Sequence, residues 1–446
     1  MLTRTGYLVT EGPIAEIKKE LTVRPQVNGD YGFPPPPFKV FRTAKNGVCV
    51  PRFYGVARVG KPKEDRRPEP ARSKATFVGQ LRDATHQNAA LAAALSAGHG
   101  VLSLPCGYGK TTVSLAIACK LGYRTMIVVH KQFLADQWRE RIQQFCPGAT
   151  IGIVQQDKKE TDCDFVIAML QSLSLKEYSF GDFDSIGTLI VDEAHHICAK
   201  VFSQSLFKMC PKHIFGLSAT PERKDGLTKV LHWFMGPTFF AVERKNQEQV
   251  EVFPVTYESF NYRNPPPSTR FGKVSMPNMI TEVVEDRKRN QMLVGLIKKA
   301  SAGTRQLLVL SDRRWHCEML HQCFPKNSGL YMGGMKEADL QASSKKKIIF
   351  ATFSQAHEGL DIPTLDTVIL ASPKSDITQS IGRIMRETKG KKNNPHIYDI
   401  HDPWSLFTAM FYKRMKVYRQ GGFKIHGKVA EEEKKTEFPQ GKCLFL

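Results

Sequence analysis

The sequence predicts an α/β protein of two tandem, doubly wound parallel-sheet lobes behind a short N-terminal extension. Three observations predict it. From about residue 76 short apolar runs alternate with helical stretches. The runs are continuously apolar, as strands covered on both faces must be. The alternation then happens a second time after a proline-bearing break, and each such series closes one sheet with helices on both faces.

Residues 1–75 read as an extension and a charged linker. Strand-like runs fall at 7–10, 39–42 and 48–50, interrupted by GFPPPPF at 32–38, a polyproline stretch that acts as a stiff turn or as a ligand for a partner. KPKEDRRPEPARSK at 61–74 is charged, carries proline and lacks large apolar residues, so it reads as linker. The first lobe, 76–240, has buried strands predicted at VLSL (101–104), TMIVV (125–129), FVIAML (165–170), TLIVD (188–192) and IFGLS (214–218). Between two of them Leu134, Trp138, Ile142 and Phe145 recur at helical spacing and predict an amphipathic crossover helix. Residues 241–285, with NPPPST at 264–269, read as the connection between lobes. The second lobe, 286–430, has strands predicted at 305–310, 347–352, 367–372 and 396–400, and one helix is predicted over 282–300. Residues 431–446 are a charged tail.

A chain of 446 residues is long enough for two or three domains with substantial cores. Hydrophobic content is 41% and no apolar run reaches membrane-span length. The start, MLTRTGYLVTEG, lacks an apolar core and cleavage site, so a soluble intracellular protein is expected. Ten cysteines are scattered without a Cys-x-x-Cys pair, which predicts reduced thiols and no zinc. The formal charge of +21 points to a polyanionic partner, nucleic acid first. It is concentrated at the two ends: residues 1–80 hold 15 basic and 7 acidic side chains, and residues 386–428 hold 10 and 3.

SLPCGYGKTT at 103–112 has the context of a phosphate loop, a strand end followed by a helix. Gly107 and Gly109 let backbone N–H groups turn inward around an anion, and the helix start adds partial positive charge. Lys110 would reach the β and γ phosphates of ATP, and Thr111 would place its hydroxyl on Mg²⁺. Pro105, Cys106, Tyr108 and Thr112 complete the loop. Leu104 stands where the general pattern has its first glycine. At VDEAHH (191–196) an apolar strand ends in two carboxylates. Asp192 would join the Mg²⁺ shell and Glu193 would orient and deprotonate the attacking water. His195 is expected to relay between lobes. An acidic helix cap explains Asp192 and Glu193 alone but not the loop upstream.

In LPCGYGKT, VDEAHH, GLSATPERKDG (216–226) and QSIGRIMR (379–386), the chain resembles superfamily-2 helicases and translocases of the DEAH type. It looks most like the branch containing the XPB-like repair helicases and the poxvirus transcript-release helicase. The resemblance covers about residues 76–425 and implies RecA-like lobes. It makes Leu104 a family variant. It assigns Gln87, in LRDATHQ (81–87), to the adenine base, and Ser218, Ala219 and Thr220 to coupling hydrolysis to lobe movement. From ATFSQAHEGLDIPTLDTVIL (351–370) it takes Glu358, Gly359 and Asp361 as sensors of nucleotide and strand; Gln379, Arg383 and Arg386 face the γ-phosphate. An arginine there stabilises transition-state charge, and closure of the lobes puts it in place. Candidate nucleic-acid contacts are Lys131, Gln171, Ser172, Arg313 and Arg314, gripping phosphates.

The expected activity is a DNA-stimulated ATPase that moves along and unwinds single-stranded or duplex DNA, with transcription or replication proteins as partners. An RNA helicase is the alternative, although QSIGRIMR lacks the Gln-Arg-x-Gly-Arg-x-Gly-Arg form of RNA-acting DEAH enzymes. A nucleotide-gated, non-catalytic clamp would carry degraded catalytic residues, and Lys110, Asp192, Glu193 and both arginines are present.

Overall fold

The continuous apolar runs are strands covered on both faces. In the computed structural model every residue of Thr125–Val129, Phe165–Met169 and Thr188–Val191 is buried. The structure describes residues 1–25, 36–105, 107–198, 200–219, 226–242, 249–269, 272, 274–358, 360, 362–385 and 393–427. They form two units, Met1–Glu243 and Arg244–Leu446.

The first unit carries an eight-stranded sheet. Its order is Lys158–Lys159, Ile151–Gln155, Phe165–Met169, Thr125–Val129, Thr188–Val191, His213–Ser218, His99–Ser103 and Thr238–Ala241. All neighbours are parallel except the two-residue Lys158–Lys159. Side chains alternate across a strand, and here the alternation separates two cores. Leu102, Ile127, Val129, Ile167 and Phe215 face one side. Val101, Met126, Val128, Val166 and Ile214 face the other. The crossover helix Gln132–Phe145 covers the first side with Leu134, Trp138 and Ile142, as its spacing predicts.

The second side is covered in part by the N-terminal extension, whose Tyr7, Val9, Val48, Val50 and Tyr54 belong to the same apolar cluster. The extension is a four-stranded antiparallel sheet ordered Leu2–Thr3, Gly6–Val9, Gly47–Val50, Arg42–Ala44, with a separate pair, Thr22–Val23 and Phe38–Lys39. The run predicted at 39–42 is therefore divided between two sheets, with buried Val40 and Phe41 at the crossing. The contacts that hold the extension and linker down include those of Arg42, Arg52 and Asp164. Arg42 Nη2 donates to the Gln204 carbonyl at 3.0 Å, and Arg52 Nη1 to the Lys212 carbonyl at 3.0 Å. Asp164 accepts from Ser73 Oγ and the Lys74 amide on one oxygen and from the Thr150 amide and hydroxyl on the other.

Burial alone raises the Asp164 carboxyl, but those four donors override it and hold it down at about 2. A depressed carboxyl contributes stability that is present above the ordinary carboxylate pKa and is lost as pH falls through the folded value. Asp164→Asn is thus expected to cost about 1–2 kcal/mol at neutral pH after solvent screening. In urea unfolding, the gap between variant and parent should close as pH falls from about 4 to about 2. A gap unchanged across that window would remove the carboxylate as the fastener.

The second unit carries seven parallel strands ordered Ser328–Tyr331, Ile348–Thr352, Leu307–Ser311, Thr367–Leu370, His396–His401, Glu251–Thr256 and Lys424–Ile425. Glu251–Thr256 lies in the stretch read from the sequence as connection, and the structure makes it a strand of this sheet. Pro254 disguised it. The Val250 and Val252 carbonyls accept from the amides of Lys424 and His426, so Pro254, of the same parity, turns its nitrogen to that side beyond the last paired residue. A missing N–H is tolerated there. The single helix predicted over 282–300 is two, Met276–Glu285 and Arg287–Ala300, because Asp286 leaves the helical region at ψ 111 and caps the second by accepting from the Arg289 amide. Among the described residues no helix is long and apolar enough to cross a membrane.

Candidate active site

Parallel sheets place ligands at the carboxyl ends of their strands, and the candidate nucleotide-site loops of the first unit follow three such ends: His99–Ser103, Thr188–Val191 and His213–Ser218. Leu104, standing at the first glycine of the general loop pattern, is fully buried, and its amide donates to the Ser218 carbonyl at 3.2 Å. A leucine there anchors the loop in the core. Beyond it the Tyr108 amide donates back to the Pro105 carbonyl at 3.2 Å. Gly107 and Gly109 hold φ of 86° and 81°, the left-handed region that a side chain resists. Gly109 is the residue before the helix Lys110–Leu121, so the free amides of Lys110, Thr111 and Thr112 lie at its start. Lys110 Nζ donates to the Leu104 carbonyl at 3.0 Å. Cys106 lies outside the described residues.

Gln87, assigned by resemblance to the adenine base, is 1% exposed. Its Oε1 accepts from the Arg82 amide at 2.9 Å and its Nε2 donates to the Tyr108 carbonyl at 2.9 Å. The amide thus braces the loop from behind. A Cβ on Gly109 would meet Gln87 Nε2 at 2.4 Å, a second reason for glycine there.

The strand Thr188–Val191 ends one residue before Asp192, whose carboxylate is clamped at both oxygens. Trp138 Nε1 donates to Oδ2 at 2.9 Å, and the Glu193 amide donates to Oδ1 at 3.0 Å. Burial and the Glu193 charge raise the Asp192 carboxyl, while the Trp138 N–H and the Lys110 charge pull against them. Two carboxylates side by side in a desolvated turn suit a cation. Glu193 has φ 46°, and this left-handed step turns two consecutive carboxylates into one site where a continuing strand would have sent them to opposite faces. Among the described residues Glu193 Oε2 is buried and makes no hydrogen bond. His195 Nδ1 stands 3.5 Å from it and 3.5 Å from Ser218 Oγ. Ala219 follows the strand, half-buried, and Thr220 lies outside the described residues.

Lys131 precedes the helix Gln132–Phe145, and Gln171 Nε2 reaches across to the His130 carbonyl at 2.6 Å, so these two candidates come together. Ser172 Oγ accepts from the Gln156 amide at 3.0 Å. In the second unit Arg313 is held by the Pro277 carbonyl at 2.7 Å and by Asp312 at 3.0 Å. Arg314 donates to the Gly333 carbonyl at 3.0 Å, and Arg383 Nε donates to the Ala356 carbonyl at 3.0 Å. Gly359, Asp361 and Arg386 and the side chains of Glu358 and Gln379 lie outside the described residues.

Three site residues escape sequence reasoning. Trp138 reads as a core position of an amphipathic helix, and its indole body is buried as expected; only the fold brings its N–H to a carboxylate 54 residues along the chain. His196 packs its ring, tilted, against those of both His130 and His195, and no spacing rule links positions 130 and 196. The HH pair inside VDEAHH was the available signal.

Residues 80–223 match the family described as "Type III restriction enzyme, res subunit". A protein of Acanthamoeba polyphaga mimivirus named "Putative ATP-dependent RNA helicase" is 34% identical over 429 residues, 90% of this chain and 81% of its own. A "Putative helicase" of Invertebrate iridescent virus 6 is 28% identical over 72% of this chain and 76% of its own. A "Putative ATP-dependent RNA helicase" of African swine fever virus is 24% identical over 74% and 70%. The crystal structure of T4 UvsW aligns over 92% of this chain and 94% of its own at 15% identity, with a TM-score of 0.35. Similarity of this extent to the mimivirus protein, over most of both chains, establishes that this chain belongs to the superfamily-2 helicases, enzymes that hydrolyse ATP.

Proposed function

We propose that the chain couples ATP hydrolysis to movement along DNA and to its unwinding. The observation that carries the reading is the Asp192–Glu193 turn beside the Lys110 loop: one carboxylate clamped, the next with a buried oxygen that makes no hydrogen bond among the described residues. The residues fit Mg²⁺-bound ATP. Inward amides and Lys110 take phosphate oxygens, and the Thr111 hydroxyl and Asp192 make an all-oxygen set suited to Mg²⁺. Bound there, the ion would neutralise charge between the β and γ phosphates.

The chain's own residues supply the rest. The amides after Gly109 bind and orient the triphosphate, and Trp138 fixes the direction of Asp192. Glu193 Oε2 accepts a proton from the attacking water. In this reading Arg383 and Arg386 stabilise charge on the transferred phosphoryl group, Gly359, Asp361 and Gln379 report on nucleotide, and His195 with Ser218, Ala219 and Thr220 passes the event on. Lys131, Gln171, Ser172, Arg313 and Arg314 are proposed to lie along the strand. The internal contacts of Arg313 and Gln171 make them supports for that track as much as direct contacts. Membership of the XPB-like branch is part of the same proposal.

DNA is favoured by the form of QSIGRIMR. A second reading, RNA, is favoured by the names of the mimivirus and African swine fever virus relatives. ATP hydrolysis by the full chain with single-stranded DNA or RNA of the same sequence, and strand displacement on tailed duplexes of each, separates them. Stimulation at least about tenfold greater with DNA, weakening with salt, is expected. Stimulation by RNA alone would establish the second reading, and none by either would end both.

A further inference from the structure

We propose that the His130–His196–His195 row of tilted, touching rings is a positioning device tying nucleic-acid engagement at Lys131 and Gln171 to the placement of Glu193; it rests on the reading of Glu193 as general base. The geometry is a short chain of contacts with little slack. The His130 and His196 ring centroids are 4.1 Å apart, and those of His196 and His195 are 4.4 Å apart. Both are closer than the usual range of about 4.5–7 Å for paired rings. At one end His195 Nδ1 stands 3.5 Å from Glu193 Oε2 and 3.5 Å from Ser218 Oγ. At the other, His130 is the residue immediately before Lys131, and its carbonyl accepts from Gln171 Nε2 at 2.6 Å. Three strand ends that are remote in sequence are thereby connected through one set of rings.

His130 is 7% exposed, and neither phosphate binding nor proton abstraction calls for a ring there. Glu193, by contrast, needs support. Its φ of 46° is costly for a side chain bearing a Cβ, and such a conformation persists only where neighbours hold it. That makes the turn an element with an alternative arrangement, which contiguous packed side chains can bias. A shift of the loop bearing Lys131 and Gln171, as a bound phosphate backbone would impose, moves His130. Through His196 and His195 that movement changes how firmly the Glu193 carboxylate is placed.

If the row of rings were core packing alone, losing a ring would lower stability and scale basal and stimulated rates together. The decisive readout is therefore the ratio of ATP turnover with and without a saturating single-stranded DNA oligonucleotide, measured beside DNA affinity and thermal melting. We expect His130→Ala to cut that ratio by at least about 5-fold, the lower end of typical site-to-site coupling. DNA affinity should stay within about 2-fold, and His130→Phe, which keeps a ring, should restore the ratio. His196→Ala should lose it likewise and replaces His130→Ala in the test if that variant does not fold. A parental ratio in the alanine variants would overturn the proposal, as would its loss in the phenylalanine variant. Failure of the underlying reading looks different: the unaltered protein would show no stimulation, or Glu193→Gln would keep its basal rate.

Discussion

Glu193→Gln is expected to lower ATP turnover by about 10²–10⁴-fold, the usual contribution of a positioned general base, while leaving nucleotide affinity within a few-fold. Glutamine keeps the length and shape of the side chain, so the left-handed turn at this position and its amide's bond to Asp192 Oδ1 have no steric reason to change. What disappears is the basic oxygen that makes no hydrogen bond among the described residues. Lys110→Ala should fail differently. It removes an ammonium anchored on the loop, at the Leu104 carbonyl, so ground-state binding and turnover should both drop. Phosphate release at saturating ATP, set beside titration with a fluorescent nucleotide, distinguishes the two. A Glu193→Gln protein within about 3-fold of the parent rate would show that the water is activated elsewhere.

The contrast reflects which parts of the molecule are written locally. Strands buried on both faces, such as TMIVV and FVIAM, announce themselves because every position is apolar. Edge and near-edge strands do not. Ile151–Gln155 alternates buried and half-exposed positions, Lys424–Ile425 is two residues long, and Glu251–Thr256 contains a proline. Their pairing is decided by neighbours far away in sequence. The break at Asp286 was hidden for another reason: helical periodicity continues through it, and only the carboxylate's bond to the Arg289 amide ends one helix and starts the next.

At the site the same division holds. Gly107, Gly109, Lys110, Asp192 and Glu193 were legible because phosphate and metal chemistry need those residue types in a fixed local order. Gln87 was legible only through the resemblance, as a contact to the adenine base, and its bond to the Tyr108 carbonyl depends on where two helices meet. The clamp from Trp138 and the ring of His130 are tertiary facts. For the basic residues proposed as nucleic-acid contacts, the sequence leaves out their neighbours. A charge read from sequence has no partner, whereas Arg313 in the fold is bonded to Pro277 and Asp312.

Asp402→Ala is expected to destabilise the second unit by about 3–5 kcal/mol, the cost of leaving a buried charge without its partner. Arg289 and Asp402 are fully buried, joined by Nε to Oδ1 at 2.7 Å and Nη2 to Oδ2 at 2.9 Å, and Arg289 Nη1 donates to the Ala371 carbonyl at 2.8 Å. One guanidinium thus ties the helix Arg287–Ala300 to the chain just beyond two neighbouring strands, Thr367–Leu370 and His396–His401. Against a typical domain stability of about 5–15 kcal/mol, the single substitution should shift the unfolding of Arg244–Leu446 to much lower urea. The double change Arg289→Met with Asp402→Leu should recover most of the loss, since an apolar pair of similar volume leaves no charge to desolvate. Recovery would assign the pair to orientation of the helix more than to stability, and the helicase cycle of the recovered protein then tests whether orientation matters. A loss under about 1 kcal/mol for Asp402→Ala would mean that water reaches the guanidinium and that this corner of the second sheet is open.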